Sequence, residues 1–177
     1  MTEIEVYAQG TITRIPMMVY GALLAVLFIG LTVVLFSHRV RIVRKIAVLL
    51  LAEWVVLIFC STVVFRTPRE VSSINLLPLW SYFDYAENSY LKEMAAVNFL
   101  NLVMFIPIGV LVKLGFHDFT WKQILLVGII LSAAIEITQF VFKRGLCELD
   151  DIVHNVIGCM LGFWLCYVIV KTRNKYV

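Results

Sequence analysis

The chain has 177 residues, 62% of them hydrophobic and 15% charged, with a mean hydropathy of +0.93. Soluble domains are about 45–50% apolar and about 25% charged, so the composition excludes an ordinary water-soluble globule and points to a one-domain, all-α integral membrane protein. A net charge of +3, with no basic patch interleaved by aromatic residues, argues for a basic membrane rim and against nucleic-acid binding.

Residues 1–16 form a short polar lead that carries Glu3 and Glu5. A secretory signal would place a basic cluster there and a small-residue cleavage site after a shorter apolar run; neither is present, so Met17–Phe36 reads as a retained first span. Arg39, Arg41, Arg44 and Lys45 follow, then a second apolar segment, Ile46–Phe65, interrupted by Glu53 at mid-depth. A carboxyl there is either protonated or hydrogen-bonded to a neighbouring helix. Residues 66–93 make a 28-residue connection, long for a helix–helix loop. It holds Ile74-Asn-Leu-Leu-Pro-Leu-Trp80, Tyr82, Phe83, Tyr85 and Tyr90. Amphipathic rings settle at headgroup depth, so this loop is expected to lie on, or dip into, the membrane interface, with Pro78 barring a regular element interior.

The third segment, Met94–Gly115, contains Asn98, Asn101 and Pro107. The fourth, Trp121–Phe142, contains Ser132, Glu136 and Gln139; the fifth is Ile152–Val170, followed by a basic tail. Each segment approaches the roughly 20 residues that cross about 30 Å of hydrocarbon, and none alternates as a strand would. The expected architecture is about five transmembrane helices. Nine of the fifteen Lys and Arg fall on one side of such an arrangement, in the first-to-second loop, the third-to-fourth loop and the tail. The positive-inside rule then predicts an N-out, C-in topology with the long aromatic loop outside.

Polar residues gather at one depth. Ser132, Glu136 and Gln139 are spaced i, i+4, i+7 and share a helix face. Charge at a span centre costs about 2.5–3.5 kcal/mol, so this face should meet protein or a wet cavity. Glu136 lies six residues before Phe142, about 9 Å below the predicted outer boundary. Asn98 and Asn101 open the third helix from the same side, and Asp150, Asp151, His154 and Asn155 open the fifth. Asp150 or Asp151 is expected to cap that helix. Gly158 and Gly162, on the face of Asp151 and Asn155, would allow a close helix approach. Pro107 would free a backbone carbonyl, with Gly109 easing a contact nearby. The four cysteines show neither a disulfide framework nor zinc spacing.

Several short motifs occur in order: Asn75-Leu-Leu-Pro78 preceded by Arg66 or Arg69; Asn101 with Phe105-Ile-Pro107-Ile-Gly109; Ser132, Ile135-Glu136 and Gln139; and Arg144, Asp150-Asp151, Asn155 and Gly158. Over roughly residues 66–170 this series resembles the VanZ-like family of bacterial membrane proteins. Leu79 stands where an aromatic residue often follows the proline, and Glu148 where another aspartate would precede the pair. The resemblance implies a multi-pass protein of the bacterial plasma membrane with a link to glycopeptide resistance, especially to teicoplanin, and it supplies no reaction. The chain divides into residues 1–65, a family-like core of 66–170 and a tail of 171–177.

Three functions compete. In the first, a non-catalytic envelope protein binds a membrane lipid, or a lipidated or lipid-linked molecule, at an outward site of Arg66, Arg69, Asn75, Asn98, Asn101, Ser132, Glu136, Gln139, Arg144, Asp151 and Asn155, the arginines holding a phosphate or carboxylate. In the second, an intramembrane enzyme uses Glu136 as general base, with Asp150 and Asp151 as further catalytic candidates and as oxygen ligands for a divalent cation. In the third, the chain is a small transporter or scaffold, which its few helices and lack of an internal repeat disfavour unless it forms a homo-oligomer.

Overall fold

The computed structural model of the chain describes residues 40–70, 72–80 and 88–173, with residues 25, 26, 28–30 and 32 upstream. Most of the expected first span, and Tyr82, Phe83 and Tyr85, lie outside the described residues. Among the described residues four helices are long and apolar enough to cross a membrane: Arg41–Val64, Val97–Gly115, Trp121–Val141 and Leu149–Thr172. These are the second to fifth apolar segments, and they make the chain an all-α membrane protein.

Helix α1, Val40–Phe59, runs into a π-turn, Cys60–Val64. The cause is local: the hydroxyls of Ser61 and Thr62 both donate to the Ile58 carbonyl, at 2.9 and 2.7 Å. Hydroxyls that claim a backbone carbonyl loosen the helical ladder, and here it widens, with the Phe65 N–H reaching back to the Cys60 carbonyl at 2.9 Å. The following loop contains β1, Ile74–Asn75.

Helix α2, Asn88–Gly115, starts ahead of its apolar stretch and passes through Pro107. In the turn before that proline, the Met104 carbonyl accepts the Trp54 indole N–H of α1 at 2.9 Å. Helix α3, Trp121–Val141, ends in a Schellman motif. The Lys143 N–H donates to the Phe140 carbonyl at 3.1 Å and the Arg144 N–H to the Gln139 carbonyl at 2.7 Å, while Lys143 takes the left-handed conformation, φ 54°. That cap turns the chain into β2, Cys147–Glu148, which pairs in parallel with β1, Ile74 opposite Cys147 and Asn75 opposite Glu148. Helix α4, Leu149–Arg173, follows at once.

The helices pack as a central pair with two flanks. Helix α4 lies along α2; α1 leans on α2, and α3 on α4. The central contact is between backbones. A Cβ on Gly158 would sit 2.0 Å from the Leu102 carbonyl oxygen, one on Gly162 2.0 Å from that of Ile106, and one on Gly109 1.9 Å from that of Cys159. Without a hydrophobic drive between helices in lipid, such small-residue contact is what brings spans together. Phe105, Ile108, Ile124, Ile135, Cys159 and Phe163 close the apolar core around it. The 66–80 loop, the α3–α4 connection, the π-turn and the start of α4 all meet at one end of the bundle, here termed the loop end.

Candidate functional site

At the loop end, α2, α3 and α4 turn polar side chains toward one another. The lowest rung joins α3 to α4: the Asn155 amide donates to the Ser132 hydroxyl oxygen at 2.8 Å, both residues buried. One turn higher on each helix stand Glu136 and Asp151, within electrostatic reach of each other and of Arg66. Asp151 accepts the Asn101 amide of α2 at 2.7 Å. Glu136, only 2% exposed, turns one oxygen to the backbone N–H of Glu148 at 3.1 Å. The Glu136 carboxyl is therefore turned inward, and Asn101, Ser132, Glu136, Asp151 and Asn155 share one layer, in which Ser132, Glu136 and Asn155 are buried and Asn101 and Asp151 half-buried.

The next rung is a set of clamps on the end of α1. A helix terminus leaves carbonyls without intrahelical partners. Gln139 Nε2 donates to the Thr62 carbonyl at 3.0 Å. Arg144 Nη1 donates to the carbonyls of Val64 at 2.7 Å and Arg66 at 2.5 Å. Arg144 thus acts, through Nη1, on the backbone of the α1 terminus. A Cβ on Gly145 would come within 2.8 Å of an Arg66 guanidinium nitrogen, which locates the Arg66 side chain beside the turn.

The loop is fastened over this layer. The Arg69 N–H donates to the Lys143 carbonyl at 2.6 Å and the Cys147 N–H to the Ser73 carbonyl at 3.0 Å. Asn75 Oδ1 accepts the Leu77 N–H at 3.1 Å, a turn that leads into Pro78. Leu79, left-handed at φ 58°, donates its N–H to Asp150. Asp150 or Asp151 was expected as the cap, but α4 starts at Leu149. They lie inside its first turn, with an oxygen of each turned to Leu79 and Asn101 respectively. What Asp150 reads at Leu79 is its backbone. Ile74, Leu76, Leu77 and Leu79 stay exposed along the strap.

Glu148 is the residue that the sequence reading missed. Its N–H holds Glu136, and its carboxyl, 7% exposed, is pushed up to about 7 by burial, then by the negative charges of Asp151 and Asp150, with Arg66 and Arg69 pulling the other way. Burial, with Glu136, Asp151 and Glu148 nearby, also raises the Cys147 thiol, which makes it a poor nucleophile at neutral pH. The run Glu148-Leu-Asp-Asp was the available signal. His154 Nδ1 lies 2.6 Å from the Asp150 carbonyl one turn back, so that nitrogen carries the proton. Asn98 is buried on α2 one turn before Asn101. Glu53 sits away from this layer, half-buried, its Oε1 without a hydrogen-bond partner among the described residues. Among the described residues no three His, Cys, Asp or Glu side chains converge as a metal ion would require.

A helical membrane protein with a buried, acid-rich layer closed by a stapled loop is the class that fold and site define. The family model described as VanZ/LLP1 matches residues 26–170, and the chain belongs to that family. "Protein VanZ" of Enterococcus faecium is 32% identical over 75 residues, which are 42% of this chain and 47% of that protein. The chain thus matches about half the length of this curated relative. No solved structure matches the chain.

Proposed function

We propose that the protein is a multi-pass component of the bacterial plasma membrane, N-out and C-in, whose loop end faces outward and holds the polar part of a lipidated or lipid-linked envelope molecule. Its family links that role to tolerance of teicoplanin. The observation that carries this reading is the set Asn101, Glu136, Asp151 and Arg66, Glu136 buried and the other three half-buried, drawn from three helices and the loop. Ionisable groups within a span cost kilocalories, so their presence there points to function. Two observations support the orientation. Arg41, Arg44, Lys45, Lys113, Lys122 and Lys171 lie at or near the opposite end of the bundle, as the positive-inside rule asks of a cytoplasmic face. The exposed Ile74–Leu79 stretch suits an interfacial strap. Arg66 and Arg69 are the arginines left to meet an anionic group, and residues 66–170 form the binding core.

The test is Glu136→Gln, compared with wild type at equal expression in a susceptible Gram-positive host. Wild type should raise tolerance to teicoplanin more than to vancomycin, and the variant should lose that difference. Unchanged tolerance in the variant would remove Glu136 from the function.

The crowding of Glu136, Glu148, Asp150 and Asp151 favours a second reading, an intramembrane enzyme on a lipid-linked, phosphate-bearing substrate. Carboxyls gathered in one cluster within a span are typical acid–base candidates. Glu136 would take a proton from the attacking group while Arg66 meets the phosphate. Incubation of purified protein with labelled undecaprenyl-linked lipids, with and without magnesium, should give product in this case; no turnover across the panel would reject it.

A further inference from the structure

The end of the bundle opposite the loop end carries a second polar cluster. Helices α2 and α4 run there in the same direction, Leu102 beside Gly158 and Ile106 beside Gly162. Lys113 lies two residues before the end of α2 and Lys171 two before the end of α4. Between them stand three rings of α4. Trp164 meets Phe163 and Tyr167 edge-on, with centroids 5.6 and 5.7 Å apart, and Phe163 stacks on Tyr167 at 6.3 Å. Lys113 Nζ is 5.9 Å and Lys171 Nζ 5.8 Å from the centroid of Tyr167, so two ammoniums share one ring. Phe163 is buried, while Trp164 and Tyr167 are exposed.

Neither ammonium meets a negative charge. Lys113, half-buried, donates to the His117 carbonyl at 2.5 Å and lies 3.5 Å from that of Phe119. Its other neighbours are the ring faces of Phe163 and Tyr167. Carbonyls and rings offer partial charges only, and an ammonium has three N–H groups to place. Lys171 meets only the Tyr167 ring among the described residues. The sequence holds no acid in residues 152–177, and between Met94 and Ile135 it holds Asp118 alone. Asp118 turns to His117 at 3.3 Å, with a side chain 95% exposed. A half-buried cation without a counter-charge is costly, and two of them beside one ring ask for an anion.

We propose that Lys113, Tyr167 and Lys171 form a headgroup site for an anionic phospholipid. The phosphodiester lies between the two ammoniums and accepts an N–H from each, and an acyl chain runs from it past Trp164 toward Leu161. A lipid fits better than a free phosphate because the rings sit at a helix end, where amphipathic rings settle at headgroup depth. From there the exposed apolar surface of Trp164, Leu161 and Leu165 continues along α4. This site lies at the other end of the molecule from the acidic layer and does not depend on what that layer holds.

The full chain is reconstituted in phosphatidylcholine nanodiscs with a small share of phosphatidylglycerol carrying a diazirine in its acyl chain, then irradiated and peptide-mapped. A parallel sample carries the diazirine on phosphatidylcholine. The phosphatidylglycerol label should concentrate on Trp164 and Leu161 relative to the exposed Leu126 and Ile130 of α3, and the phosphatidylcholine label should not. Lys171→Gln and Lys113→Gln should each lower that preference about fivefold. Lys171→Arg should keep it. Arg44→Gln removes a charge of the same end on α1 and should leave it unchanged. Lys113 also holds loop carbonyls, so the exposed Lys171 carries the test should Lys113→Gln fail to fold. Equal labelling by the two lipids would overturn the proposal. A loss in Arg44→Gln as large as in Lys171→Gln would mean a diffuse attraction to the basic rim, and would overturn it too. Displacement of the label by sodium phosphate beyond that by sodium chloride at equal ionic strength would identify a free-anion site, with the same consequence.

Discussion

Asn101 and Asp151 join α2 to α4 by a hydrogen bond of 2.7 Å at the level where Glu136 enters from α3. The bond ties the densest helix contact of the fold to its most charged layer. Asn101→Ala should cost about 1–3 kcal/mol, because Asp151 is left buried without its amide donor. A cycle with Asp151→Ala, which removes the acceptor, should return a coupling of about 0.5–2 kcal/mol. Thermal unfolding in detergent reads both; additive losses would show that the pair is not coupled.

The close approach of α2 and α4 makes Gly158 more sensitive than its surroundings. A methyl group there would meet the Leu102 carbonyl at 2.0 Å, and backbone on both sides cannot yield as a flexible side chain would. Gly158→Ala should destabilise by about 1–3 kcal/mol or more, and Gly158→Leu should prevent recovery of folded protein. Ile157, exposed beside it, should tolerate alanine with a shift within about 0.5 kcal/mol.

Much of this was legible in the sequence, and the exceptions have a common cause. Hydropathy alone marks the spans, and the spacing of Gly158 and Gly162 announces their role, because both signals are carried by side chains along one helix. The i, i+4, i+7 stripe of Ser132, Glu136 and Gln139 likewise lies on one buried face. Contacts to backbone were not legible. Thr62 and Val64 matter through carbonyls, Leu79 and Glu148 through N–H groups, and a main-chain atom leaves no trace in residue identity. Arg144 shows the same limit: its charge suggests an anion, while the carbonyls its Nη1 holds, left open by the π-turn and helix end, are not visible in residue identity. Asp150 and Asp151 were misread because α4 begins at Leu149, which makes them first-turn residues whose oxygens reach other elements.

Lys143 occupies the left-handed position of the α3 cap, φ 54°, where glycine has no Cβ penalty. Lys143→Gly should stabilise the fold by about 0.5–1 kcal/mol, the relief of strain partly offset by the greater freedom of glycine in the unfolded chain. The Arg69 N–H bond to this residue's carbonyl survives the change. A higher unfolding midpoint in detergent is the expected result; a lower one would mean that the lysine side chain itself holds the loop.

Glu148 should give the fold an unusual pH dependence. Its carboxyl is raised from 4.5 to about 7 by burial and by Asp151 and Asp150, against the pull of Arg66 and Arg69. Between those values the folded protein holds a proton at this site that the unfolded chain has lost, so stability falls as pH rises through that window. The contribution is fully present below about 4.5 and gone once the pH passes about 7. Ordinary paired carboxylates act in the opposite sense. Glu148→Gln keeps the backbone N–H that holds Glu136 and removes the titration. The difference in unfolding midpoint between wild type and variant, followed from pH 4.5 to 8 in one detergent, should therefore widen with pH in favour of the variant. A constant difference would show that Glu148 is already ionised in the fold, and that the arginines outweigh burial at this site.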